Sequence, residues 1–195
     1  MKKSYLLLFV VSTINIYAQR TGNIFQYPDG TFASAIRTSD FQQAQQYKNL
    51  WCWAACISMV LKYQGIDASQ RDIVTKVFGT DVNSPGNQYD IIKGANGWSK
   101  NGKTIKAYDE RSRQPEDLID GFAYKYPFIV GISNPGSSIG HAYVLTAIYY
   151  SQRQGEQPRP TKVALRDPWP SSPPRREMDW AEFLNRVTSI THVTY

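Results

Sequence analysis

The chain is short of the residues that most often carry chemistry: its 195 residues include only two cysteines and two histidines. Cys52, Cys56, His141 and His192 have no zinc-type spacing, so no metal site is expected, and no motif calls for a cofactor. A disulfide is disfavoured as well, because Cys52 and Cys56 stand four apart on one predicted helix, where near-parallel Cβ vectors give poor bond geometry. No internal repeat is present, which argues against a solenoid or propeller. The apolar run Tyr5 to Val11 is too short to span a bilayer, and no other segment comes close to the necessary length. Basic residues outnumber acidic ones by 22 to 16, yet they are scattered. Their densest cluster, Arg166, Arg175 and Arg176, is not the stripe a nucleic-acid binder needs. Neither nucleic acid nor stable membrane insertion is therefore expected, and a monomer is assumed.

What the chain does have is apolar content for one packed domain: 42% of residues are hydrophobic and 13% aromatic. Residues 1–18 read as a signal peptide, with Lys2 and Lys3 as the basic start, Tyr5 to Val11 as the apolar run and Ile16-Tyr17-Ala18 as the cleavage site. A secreted or periplasmic protein beginning near Gln19 is expected, its formal charge reduced from +6 to +4 by loss of Lys2 and Lys3. An unpaired thiol in an oxidising compartment is open to oxidation, so its presence there points to a chemical use. Residues 19–41 carry a turn signal at Pro28-Asp29-Gly30 and read as an N-terminal arm or a short pro-segment, leaving 42–195 as the domain.

The stretch Gln46 to Gly65 is the most informative. A helix is expected from Leu50 to about Gln64, with Asn49 as its cap and Gly65 ending it, which places Cys52 near its third residue. This helix is apolar nearly all round, as a central helix would be. Unpaired backbone N–H groups and the dipole at its start favour a thiolate over a thiol. The plain alternative is that Cys52 is a small buried hydrophobe. Further helices are expected from a Ser69/Asp72 capping box to Gly79, around Asn87 to Lys93, from Gln114 to Tyr124 and from Met178 to Arg186. Residues 80–113 read as a surface lobe. Strands are expected at Pro127 to Ile132, His141 to Tyr150, Thr161 to Asp167 and Thr188 to Tyr195.

If the turn after Tyr150 centres near Gln154, His141 and Asp167 face each other across an antiparallel pair with their side chains on one face. A one-residue slip would separate them. Each also has an ordinary reading, His141 as a strand-end residue and Asp167 as a turn cap before proline. His192 has no acidic neighbour in sequence and reads as structural.

Gln46, then Trp51-Cys52-Trp53-Ala54-Ala55, then Gly140-His141-Ala142, then Asp167-Pro168-Trp169 together resemble the papain-like cysteine proteases. The resemblance is to the compact bacterial branch that includes secreted effector proteases and is related to bacteriocin-leader peptidases. It covers about residues 42 to 170 and implies an α+β fold, with a central N-terminal helix packed on a C-terminal antiparallel sheet. It also implies Cys52 as nucleophile, His141 as general base and acid, Asp167 as the group orienting the imidazole, and Gln46 as oxyanion donor. Trp51, Gly140 and Trp169 are candidates for the substrate groove. The activity implied is hydrolysis of peptide bonds in a peptide or protein substrate. Acyl transfer or isopeptide cleavage of the transglutaminase type uses the same three residue types, and a non-catalytic binding module on the same scaffold is the remaining alternative. Asp stands where papain itself has Asn, and there is neither a bridging disulfide nor a long pro-domain.

Overall fold

The computed structural model describes residues 23–37 and 41–195; the expected signal peptide lies outside them. The chain enters as a hairpin of β1 (Ile24–Gln26) and β2 (Phe32–Ala35), turned by Gly30 in the left-handed region at φ 84°. Helices α1 (Cys52–Tyr63), α2 (Gln70–Phe78) and α3 (Gln88–Ala95) follow. A two-stranded ribbon of β3 (Ser99–Lys100) and β4 (Lys103–Thr104) leads to β5 (Lys106–Asp109), α4 (Pro115–Ala123) and β6 (Phe128–Ile132). The chain then forms β7 (His141–Ser151), β8 (Arg159–Arg166), β9 (Arg175–Asp179), α5 (Trp180–Arg186) and β10 (Val187–Thr194).

All strands but β3 and β4 join one antiparallel sheet, organised around β7. Eleven residues make β7 long enough to pair with β8 along one edge, and with β6 and then β2 end to end along the other. Every residue from Ala142 to Ile148 is buried, as a strand covered on both faces requires. The order continues from β6 to β10 to β5, and β9 borders β8.

Helix α1 packs against β7, α2 and α3. Eight of its twelve residues are buried, from Trp53 to Ile57 and from Met59 to Leu61. Fully burying one of its large apolar side chains stabilises the fold by roughly 1.5–3 kcal/mol, so α1 is fixed mainly by its packing. Lys62 in the last turn complements the dipole, and Gly65, at φ 84°, lets the chain leave. The start of α1 departs from expectation. Trp51, not Asn49, occupies the N-cap position, and it makes no side-chain capping bond. Cys52 is consequently the first helical residue rather than the third.

The Ser69/Asp72 capping box of α2 is formed in both directions and Gly79 ends the helix in the left-handed region. A second box, Asn87 with Asp90, starts α3. Residues 80–113 are more than a surface lobe, because β5 extends the main sheet along β10. The segment expected to be one helix from Met178 divides into β9 and α5, since Arg175 to Asp179 pair with Arg166 to Lys162. The N-terminal arm is built in: β2 pairs with β7, Asn23 Nδ2 donates to the Phe122 carbonyl and the Ser34 hydroxyl to that of Ile119.

Candidate active site

Three elements converge on the mouth of a groove of about 720 Å³. The start of α1 brings Cys52, half-buried and free of any disulfide. The start of β7 brings His141, and the residue after β8 brings Asp167. Cys52 and His141 line the groove, while Asp167 sits behind the imidazole and is 1% exposed.

His141 Nε2 lies 2.9 Å from Asp167 Oδ1, and the Cys52 side chain is the other group that interacts with the ring. With Nε2 directed at the carboxylate, Nδ1 is the nitrogen left for sulfur. The neutral imidazole in this arrangement carries its proton on Nε2 and presents a lone pair to the thiol. Burial lowers the affinity of His141 for a proton, but its interactions with Asp167 and Cys52 outweigh that and raise its pKa from 6.5 to about 9. Burial pushes Asp167 upward, yet the bonds it accepts from His141, the Trp169 N–H and Ser172 hold it below the ordinary carboxylate value. Imidazolium and carboxylate are therefore both favoured at neutral pH.

The register that brings the pair together differs from a turn centred on Gln154. Val144 faces Arg166 and Tyr150 faces Pro160, with irregularities between Leu145 and Ala147 and between Tyr149 and Tyr150. Extending that ladder by one step sets Asp167 opposite Tyr143, two residues from His141. A shift of two residues keeps the face, so His141 reaches Asp167 diagonally rather than directly. Tyr143 shares that face, and its ring meets the imidazole edge-on at 4.7 Å between centroids.

The other sequence candidates divide. Gly140 and Trp169 line the groove, and Trp169 is 40% exposed with its ring 6.2 Å from that of His141. A Cβ on Gly140 would lie 2.8 Å from the Ile132 carbonyl oxygen, so only glycine lets the chain approach β6 just before His141. Trp51 is not a groove wall: it is 1% exposed, its indole N–H donates to the Val82 carbonyl, and Lys48 lies over its ring. Gln46 is buried outside the groove lining. Its amide nitrogen donates to the carbonyls of Lys48 and Asn49, and its Oε1 is buried without a hydrogen-bond partner. The amide expected to serve an oxyanion thus holds the turn that leads into α1. His192 lies elsewhere, with Nδ1 2.8 Å from the Tyr108 hydroxyl and 3.6 Å from Glu110, and burial lowers its pKa to about 4.

Residues 38–195 match the model of the Peptidase_C39 like family. The chain belongs to that family. Its members are papain-like cysteine peptidases, and the C39-like chain has their fold. Among solved structures it is similar to the peptidase domain of Streptococcus ComA, a bifunctional ABC transporter of a quorum-sensing pathway, at 20% identity and TM-score 0.53. That match covers 79% of this chain and 96% of the other. A double glycine motif protease from an AMS/PCAT transporter, solved with its leader peptide, is also similar at 20% identity and TM-score 0.51, covering 78% and 89%. A Bacillus anthracis protein assigned to the C39-like peptidases aligns at 14% identity and TM-score 0.57, covering 83% and 98%. No curated protein sequence matches the chain significantly. The C39-like match begins after the β1–β2 hairpin, so this hairpin precedes the family domain while sharing its sheet.

Proposed function

We propose that this C39-like peptidase is an exported endopeptidase in which Cys52, His141 and Asp167 act as nucleophile, acid–base and orienting group. The observation that carries the reading is the placement of Cys52 and His141 together at the groove mouth, with the imidazole hydrogen-bonded to buried Asp167 and electrostatically coupled to Cys52. Transfer of the thiol proton to Nδ1 gives a thiolate and an imidazolium that the buried carboxylate stabilises. The thiolate attacks the scissile carbonyl carbon, forming a C–S bond and moving the carbonyl π electrons onto oxygen. Nδ1–H then protonates the amide nitrogen as the C–N bond breaks, and the amine leaves. Water adds to the thioester carbonyl as its proton passes to His141, and the C–S bond breaks to release the acid.

The developing oxyanion requires fixed donors. The Cys52 backbone N–H is the first, because the opening N–H groups of a helix have no partner within it. Gln46 serves as the second by exchanging one backbone carbonyl for the oxyanion.

The groove suits an uncharged stretch of peptide, since among the described residues no Lys, Arg, Asp or Glu lines it. Ile139 and Trp169 supply apolar contact at its rim, with 49% and 40% of their surfaces exposed. The leader peptide bound by the AMS/PCAT relative supports a peptide as the class of substrate. Export rests on the pattern of residues 1–18, and among the described residues no helix is long and apolar enough to cross a membrane.

Cys52→Ala should abolish both peptide-library cleavage and labelling by a thiol-directed inhibitor, whereas Cys56→Ala should retain both, because Cys56 is fully buried one turn further along α1. Cleavage that survives in Cys52→Ala would overturn the assignment.

A further inference from the structure

The densest cationic cluster in the sequence has one member that reaches the site. Arg176 projects from β9, the strand bordering β8, and its Nη1 lies 3.4 Å from Asp167 Oδ2 and 3.4 Å from the Tyr143 hydroxyl. These are the two groups that fix the His141 ring. Asp167 accepts the Nε2 bond, and Tyr143 packs edge-on against the imidazole. One guanidinium nitrogen therefore ties together the anchor and the side support of the same ring.

We propose that Arg176 is a positioning residue of the active site, bridging Tyr143 to Asp167 and moderating with its charge the pull of the carboxylate on His141. The argument rests on the triad reading above. Asp167 is buried, whereas the Arg176 side chain is 48% exposed, so this cation is the channel through which solvent and salt reach the carboxylate. A carboxylate without it would bind the imidazolium more tightly. The imidazolium must give up its proton to the leaving amine, and excess basicity works against that step. The reading also accounts for the β9 strand: pairing of Arg176 with Leu165 sets the guanidinium two residues from Asp167 along the neighbouring strand.

With only two histidines in the chain, the His141 imidazole resonances can be assigned by NMR using a His192 variant, on the full protein and without any substrate. Arg176→Gln should raise the His141 titration midpoint by roughly half a pH unit, the size expected for a half-exposed cation across a carboxylate. Arg176→Lys should leave the midpoint where the wild type has it. The downfield Nε2–H resonance should weaken in Arg176→Gln and in Tyr143→Phe alike, because each variant breaks the bridge, and the double variant should weaken it no further than either alone. An unchanged or lowered midpoint in Arg176→Gln would overturn the electrostatic role, and an unaltered Nε2–H resonance would overturn the bridge. Failure of the triad reading has a separate sign, cleavage by Cys52→Ala, which does not bear on these NMR measurements.

Discussion

Replacing Asp167 with Asn separates the charge of the anchor from its shape. The carboxylate Oδ1 accepts from His141 Nε2 and from the Trp169 N–H at 2.9 Å each, while Oδ2 faces Arg176. An Asn that keeps the two Oδ1 bonds must turn its NH2 group toward the guanidinium, donor against donor. The flipped amide keeps only the arginine contact and opposes two donors instead of one. The first orientation wins, so His141 retains its tautomer and activity survives. What is lost is charge. A hydrogen bond to an ionised partner is worth about 1.5–3 kcal/mol against roughly 0.5–1.5 for a neutral one, and the difference, on the order of 1 kcal/mol or slightly more, is about one pH unit of His141 basicity. The same shift appears in stability. His141 rises from 6.5 to about 9 on folding, so its contribution, about 3 kcal/mol at most, is fully present below pH 6.5 and is lost as pH climbs through 9. Urea unfolding midpoints at pH 6 and pH 9, with the basic limb of kcat/KM on a cleaved library peptide, measure both effects. In Asp167→Asn the limb should move down by about one unit and the alkaline loss of stability should shrink by about a third to a half. An unaltered limb and an unaltered alkaline loss would refute the claim that the carboxylate charge sustains the imidazolium.

The second histidine gives a slope of opposite sign. Burial lowers the pKa of His192 to about 4, so its linked stability is present above 6.5 and disappears as pH falls through 4; His192→Phe should flatten the acid-side loss in urea titrations between pH 7 and pH 4, and an identical loss in both proteins would contradict this. For Gln46→Ala, removal of the oxyanion donor should lower kcat by about 10²- to 10³-fold, a barrier of roughly 2.7–4 kcal/mol. Its two backbone bonds should cost less, about 1–2 kcal/mol in the thermal unfolding free energy. A stability loss with kcat intact would assign Gln46 to the turn alone.

Periodicity and caps located most elements, because their signals are local. The Ser69/Asp72 box, Pro115 at the first turn of α4 and the apolar run of β7 all depend on neighbours in sequence. The convergence of His141 and Asp167 was also legible, since a two-residue difference in register preserves the face on which a side chain stands. Three features were not. Met178 and Asp179 read as the start of a helix running to Arg186, and only pairing with β8 makes Arg175 to Asp179 a strand. Residues 106–109 lie in a polar stretch, and their place in the sheet is set by β10, more than eighty residues later. The Gln46 amide was read from resemblance, whereas its partners are the carbonyls of its own following turn, which no side-chain pattern records.

The position of β10 bears on how the molecule comes into being. Residues 187–194 insert between β6 and β5, far apart in sequence from either, so a growing chain that has reached only Arg186 has a gap where its central ladders should meet. Pairing across such distances is slow, and an open strand edge invites association with other chains. Closure therefore waits on β10, and until then β6, β5 and α3 lack the neighbour it supplies. A polypeptide of this design completes its peptidase fold only once residues 187–194 are in place, so proteolytic competence follows closure of the sheet.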